Sequence, residues 1–144
     1  MTKWFYNSKL AKWLTPLGTC HTITLGWIVL TEFAEDKVSD RLRKHETTHA
    51  QQFIELLVIG AIIFALLALL GASFWLIIPC LLLFYVWYLV EWLIRFIIAL
   101  CDRIKNRDWE IAYENTVFER EANAMEEKNE NERLAFGFLC YYLE

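Results

Sequence analysis

Residues 44–70 read KHETTHAQQFIELLVIGAIIFALLALL, and the fold turns on this stretch. It opens on the pattern H-E-x-x-H, from His45 to His49, and runs into a long apolar tail with no proline. On a helix, residues four apart lie on one face. The two imidazoles can therefore grip one Zn²⁺ from the same side, and Glu46 projects nearby to take a proton from an activated water. That is the minimum equipment of a metalloprotease. The plain alternative is a solvated polar turn that happens to hold two histidines.

Working upstream, Ser39 reads as the N-cap and Leu42 begins the apolar stripe. A helix is expected from about Asp40 through Gln52, with Val38, Leu42, His45, His49, Gln52 and Leu56 near one face. Nothing breaks the pattern before Gly60, so the helix should continue into the apolar run. Phe53 to Leu70 would span roughly 27 Å, close to a bilayer's hydrocarbon core.

Downstream, Gly71-Ala72-Ser73 makes an uncharged turn, and Phe74 to Cys101 reads as a second long helix with Pro79 early in it. Trp87, Tyr88 and Trp92 read as an aromatic belt, and Glu91 and Arg95 are spaced to neutralise each other. No charged residue falls between Glu55 and Glu91. A membrane hairpin over 53–101 is the expectation, against a soluble domain with a long buried hairpin.

The charges flank this hairpin unevenly. Arg41, Arg43 and Lys44 precede it; Arg95, Arg103, Lys105 and Arg107 end or follow it; the turn carries none. By the positive-inside rule both ends, and the histidine pair, face the cytoplasm of a bacterial-type inner membrane. Formal net charge is −4, with eleven Asp/Glu against six Lys/Arg after residue 101, which argues against nucleic acid as a partner.

Residues 3–14 mix Trp, Phe and Lys as an interfacial segment does, or as one packed on the domain would. Thr15-Pro16-Leu17-Gly18 breaks any helix. Residues 19–31 are rich in Thr, Ile and Val and read as one bent strand or two short ones around Gly26. Such a strand can offer an edge to an extended peptide. No cleavable signal peptide is legible. Cys20, Cys80, Cys101 and Cys140 show no C-x-x-C spacing and read as buried, reduced thiols. Residues 108–134 are acidic and read as one or two cytoplasmic helices, and Leu134 to Leu143 is apolar enough to dock on the core or the lipid surface.

A catalytic zinc usually takes three protein ligands and leaves one position open. Besides the pair there is His21, or a carboxylate such as Glu110, Glu114, Glu119, Glu121 or Glu126, and spacing alone does not choose. The segment 118–124, Phe-Glu-Arg-Glu-Ala-Asn-Ala, resembles the E-x-x-A-D segment of the membrane-embedded gluzincin metallopeptidases, the group of the CAAX prenyl proteases and bacterial heat-shock membrane proteases. The order is similar too: H-E-x-x-H, a membrane hairpin, then the glutamate, over about residues 38–125. The resemblance implies His45, His49 and Glu119 as zinc ligands and Glu46 as general base. The departure is Asn123, where that family has an Asp beside a zinc histidine; an amide can still accept an N–H but carries no charge. The membrane helices that larger members place before the zinc motif have no counterpart here.

The expected architecture is a mainly α membrane protein in one domain, 1–144. It comprises an interfacial segment and small β element over 1–37, the zinc-motif helix over 38–52, the hairpin over 53–101 and a cytoplasmic helical region over 102–144. The expected activity is zinc-dependent peptide hydrolysis at the membrane surface, on a membrane-associated protein or peptide. Tyr113, Arg120 and His21 are the candidate oxyanion donors. The competing readings are a zinc-stapled membrane scaffold and a zinc hydrolase or acyl-transfer enzyme acting on a lipid amide.

Overall fold

The computed structural model describes residues 2–14, 21–101, 112–128 and 132–143. The chain is mostly helical, with one three-stranded sheet. It divides into two compact units, Met1–Ile54 with Ala122–Leu134, and Glu55–Glu121 with Ala135–Glu144.

The sheet belongs to the first unit. Strands β2 (Thr22–Leu25) and β3 (Ile28–Thr31) form an antiparallel hairpin, so the stretch around Gly26 is two strands. A two-residue turn needs positive φ at its first central position, and Gly26 supplies it at +64°. A Cβ there would also press on the Phe53 ring at 3.2 Å. Strand β1 (Lys3–Phe5) pairs parallel to β3, with Trp4 opposite Val29. The segment expected at the interface thus contributes a sheet strand, followed by a short helix α1 (Lys9–Leu14) that buries Ala11 and exposes Trp13. The breaker at 15–18 lies outside the described residues. β3 is central, and Val29, Leu30 and Thr31 are buried. The Thr22 hydroxyl donates to that of Thr31 at 2.9 Å across the hairpin.

Helix α2 (Asp40–Leu69) is continuous over 30 residues. Ser39 caps it as expected, its Oγ accepting the Leu42 N–H at 3.2 Å. It ends in a Schellman turn. The Ala72 N–H reaches the Leu67 carbonyl and the Gly71 N–H that of Ala68, both at 3.0 Å, with Gly71 at φ +79°. An all-apolar helix is either a buried core element or a membrane span. The apolar window of α2 is only 22% buried within the fold, and it is long and apolar enough to cross a bilayer.

In the second unit, the long helix expected over 74–101 is broken. A 3-10 turn (Phe74–Leu76) leads into α3 (Ile77–Leu81), then α4 (Leu83–Cys101), and the two parts are bent by 62°. Pro79 sits in the first turn of α3, where its missing N–H costs no helical bond, so it marks a helix start rather than an interior. Leu82, at φ −95° and ψ 17°, carries the bend. The two parts together also satisfy the length and composition of one span. α2 approaches α3 closely at Gly60, where a Cβ would lie 1.8 Å from the Cys80 carbonyl oxygen.

Helix α5 (Val117–Met125) packs through Phe118, which is fully buried. Around it stand Phe84 and Tyr88 of α4 and Phe138, with ring centroids 5.2, 5.5 and 5.0 Å away. Phe138 belongs to a 3-10 turn (Gly137–Tyr142), so the apolar C-terminal stretch does dock. Cys80 is buried and free as expected, whereas Cys140 is free but exposed.

Candidate metal centre

α2 turns His45 and His49 toward each other, their Nε2 atoms 3.1 Å apart. The opposite nitrogens are both engaged. His45 Nδ1 lies 3.1 Å from Glu126 Oε1, and His49 Nδ1 lies 2.9 Å from Gln52 Oε1. A carboxylate or amide oxygen can only accept, so each Nδ1 carries the proton in the neutral ring. The two Nε2 atoms then face each other across 3.1 Å, a spacing at which they share either a proton or a metal ion. A tetrahedral zinc with bonds of about 2.0–2.1 Å holds two nitrogens about 3.3 Å apart. The pair could hold one metal ion, and His49, Gln52 and Glu46 are all buried.

Glu46 is held from the sheet. The Thr24 hydroxyl of β2 donates to Glu46 Oε2. β2 is an edge of the sheet, and among the described residues no strand pairs with its outer side. Thr48, one of the two threonines within the motif, turns back on its own helix and donates to the Lys44 carbonyl at 2.9 Å.

Glu119 stands in the second unit, buried on α5. The sequence Thr116-Val117-Phe118-Glu119 is a capping box by spacing, and half of it forms: the Glu119 N–H reaches Thr116 Oγ1 at 3.4 Å. Its carboxylate accepts the Tyr88 hydroxyl of α4 at Oε1, 2.7 Å. The start of α5 is fastened by Glu91 of α4. Glu91 Oε1 accepts the Val117 N–H and Arg95 Nε–H, both at 2.9 Å, and Oε2 accepts the Tyr142 hydroxyl at 3.0 Å. Trp87 Nε1–H donates in turn to Tyr142 at 2.7 Å. Burial, with the Glu91 carboxylate adding to it, pushes the Tyr142 phenol above its usual range.

The remaining sequence candidates fall as follows. Asn123 is exposed on α5. Tyr113 packs its ring on Tyr88 at 6.0 Å. Arg120 donates to the Tyr141 carbonyl at 2.8 Å and stacks over that ring. His21 is exposed, with Nδ1 3.5 Å from Glu32 and its ring against Phe33. Glu110 lies outside the described residues. Four residues that matter here went unassigned a role at the site from sequence: Thr24, Gln52, Tyr88 and Thr116. The T-x-x-E spacing could have shown Thr116, and Gln52, one turn after His49 on the same face, could have been read as its partner. Nothing local marks Thr24 or Tyr88. No protein-family model, curated protein or solved structure matches the chain.

Proposed function

We propose that this protein is a zinc-dependent endopeptidase of the cytoplasmic face of a bacterial-type inner membrane. The observation that carries the reading is the His45–His49 pair, two Nε2 atoms 3.1 Å apart with both Nδ1 atoms facing oxygens. Glu119 is the third ligand in this reading. His45, His49 and Glu119 can each offer one ligand atom. Tyr88 holds the Glu119 carboxylate through Oε1.

Bound zinc supplies a Lewis acid for the scissile carbonyl and a water acidified to a pKa of about 7. Glu46 takes the proton of the attacking water and returns it to the leaving amine. Thr24 orients that carboxylate, and Glu126 and Gln52 keep the imidazoles in the tautomer a metal needs. The unpaired edge of β2 beside Thr24 suits an extended peptide added as a further strand. The apolar, mostly unburied run of α2 and the charge pattern favour a membrane-associated substrate.

The test separates a peptidase from a zinc-stapled scaffold. Glu46→Gln should keep full zinc content and lose hydrolysis by 10²–10⁴, the usual weight of a general base. His45→Ala and His49→Ala should lose the metal. If Glu46→Gln preserves the cellular phenotype while His45→Ala abolishes it, zinc is structural and the peptidase reading fails.

A further inference from the structure

We propose that the first unit holds a site for the phosphate head of an anionic membrane lipid, on the side of α2 turned away from the histidines. The proposal rests on the membrane part of the reading above and not on the peptidase part. A groove of about 410 Å³ is lined by Trp4, Trp27, Arg43, Thr47, Gln51 and Ile54, among others. Helical spacing sets its five α2 residues, Ala50 included, roughly 140–240° around the axis from His45.

Arg43 is the one charged residue that lines it. Its guanidinium is held by neutral groups. Nη1 donates to the Tyr6 hydroxyl at 2.9 Å and Nη2 to the Glu35 carbonyl at 3.3 Å, and the group lies 5.5 Å over the Trp4 ring. These contacts orient the charge without neutralising it, and among the described residues no carboxylate pairs with it. A half-buried, oriented guanidinium with spare donors matches a phosphate. The Thr47 hydroxyl and Gln51 amide add neutral donors along the same wall.

The other end of the groove selects an amphiphile. Ile54 and Trp27 are exposed there, and Phe53 begins the apolar run. A free inorganic anion would leave both side chains against water; a lipid covers them with its glycerol and first methylenes. Tryptophan at headgroup level is the usual arrangement. The occupant is a phospholipid with a net negative head.

The full-length protein, purified in a neutral detergent, is titrated with phosphatidylglycerol or with phosphatidylcholine of the same chains. Bound lipid is counted by native mass spectrometry, and zinc is measured on the same samples. One phosphatidylglycerol per chain should persist and phosphatidylcholine should not. Arg43→Gln should weaken retention roughly tenfold, as loss of one charge-assisted contact does. Gln51→Glu should do the same by repulsion, and it leaves the contacts of Arg43 with Tyr6 and Trp4 intact, so misfolding cannot account for it. Equal retention of both lipids, or undiminished phosphatidylglycerol in both variants, overturns the proposal. Displacement of the lipid by low-millimolar inorganic phosphate, with the same dependence on Arg43, would assign the groove to a free anion and overturn the lipid. Loss of the lipid result with zinc content unchanged leaves the peptidase reading standing. Protein that stays in solution without detergent removes the membrane premise and this proposal with it.

Discussion

Glu91 is the clearest place to test how α5 is held. Its buried carboxylate accepts three hydrogen bonds, from the Val117 N–H, Arg95 and the Tyr142 hydroxyl. Hydrogen bonds to a charged group each contribute about 1.5–3 kcal/mol net. The three share one acceptor, so they do not add, and breaking one side of a buried ion pair costs about 3–5 kcal/mol. Glu91→Leu should therefore destabilise by about 3–5 kcal/mol. Glu91→Gln keeps an oxygen for Val117 and Arg95 and loses the charge, and should cost about 1–2 kcal/mol. At roughly 3 °C per kcal/mol for a chain of this size, the leucine variant melts roughly 10–15 °C lower and the glutamine variant roughly 3–6 °C lower. Thermal melts in detergent measure this, and hydrogen exchange reads the Val117 amide directly. That amide should exchange much faster in the leucine variant, with zinc retention falling alongside because Glu119, the proposed third ligand, rides on the same helix. A leucine variant that melts within about 3 °C of the parent, with its Val117 amide still protected, would refute the reasoning.

Gly60→Ala puts a methyl where the Cys80 carbonyl oxygen stands, so the backbone itself must shift; a loss of about 3 kcal/mol or more is expected in the same melts. Glu126→Ala removes the oxygen on His45 Nδ1 and should weaken zinc 10–100-fold in chelator competition, whereas Asn123→Ala, at an exposed position, should change it little. For topology, in a background without native cysteines, a Cys at Ser73 should react with an impermeant reagent from outside and one at Lys128 should not; the opposite pattern would invert the orientation.

Much of this was legible where the physics is local. The Ser39 cap, the unbroken helix through Gly60, the strand-forming stretch around Gly26 and the i, i+4 histidine pair all follow from nearest-neighbour rules and are present, whereas those rules leave one bent strand or two open at Gly26 and the structure has two. The rest depends on distant parts of the chain. Three residues, Lys3–Phe5, show no strand periodicity of their own, and only β3 makes them a strand. The bend at Leu82 is invisible in a stretch that is uniformly apolar. Tyr88 and Trp87 look alike beside Trp92, as belt aromatics, yet one bonds Glu119 and the other bonds Tyr142. The partners of the imidazoles were readable in one case and not the other: Gln52 sits one turn from His49, while Glu126 is 81 residues from His45.

The bond from Thr24 to Glu46 has a consequence for how this chain can change over generations. Side chains on a strand alternate between faces, so a slip of one residue in the hairpin would bring Ile23 or Leu25 to the spot now held by Thr24. The tight turn at Gly26-Trp27 is what forbids that slip. A single inserted or deleted residue between Thr24 and the turn would leave the sheet formed and the helix intact, yet strip Glu46, the proposed general base, of its anchor. Length changes in this hairpin should survive selection only in twos, and a descendant that shows an odd one should have given up the chemistry while keeping the fold.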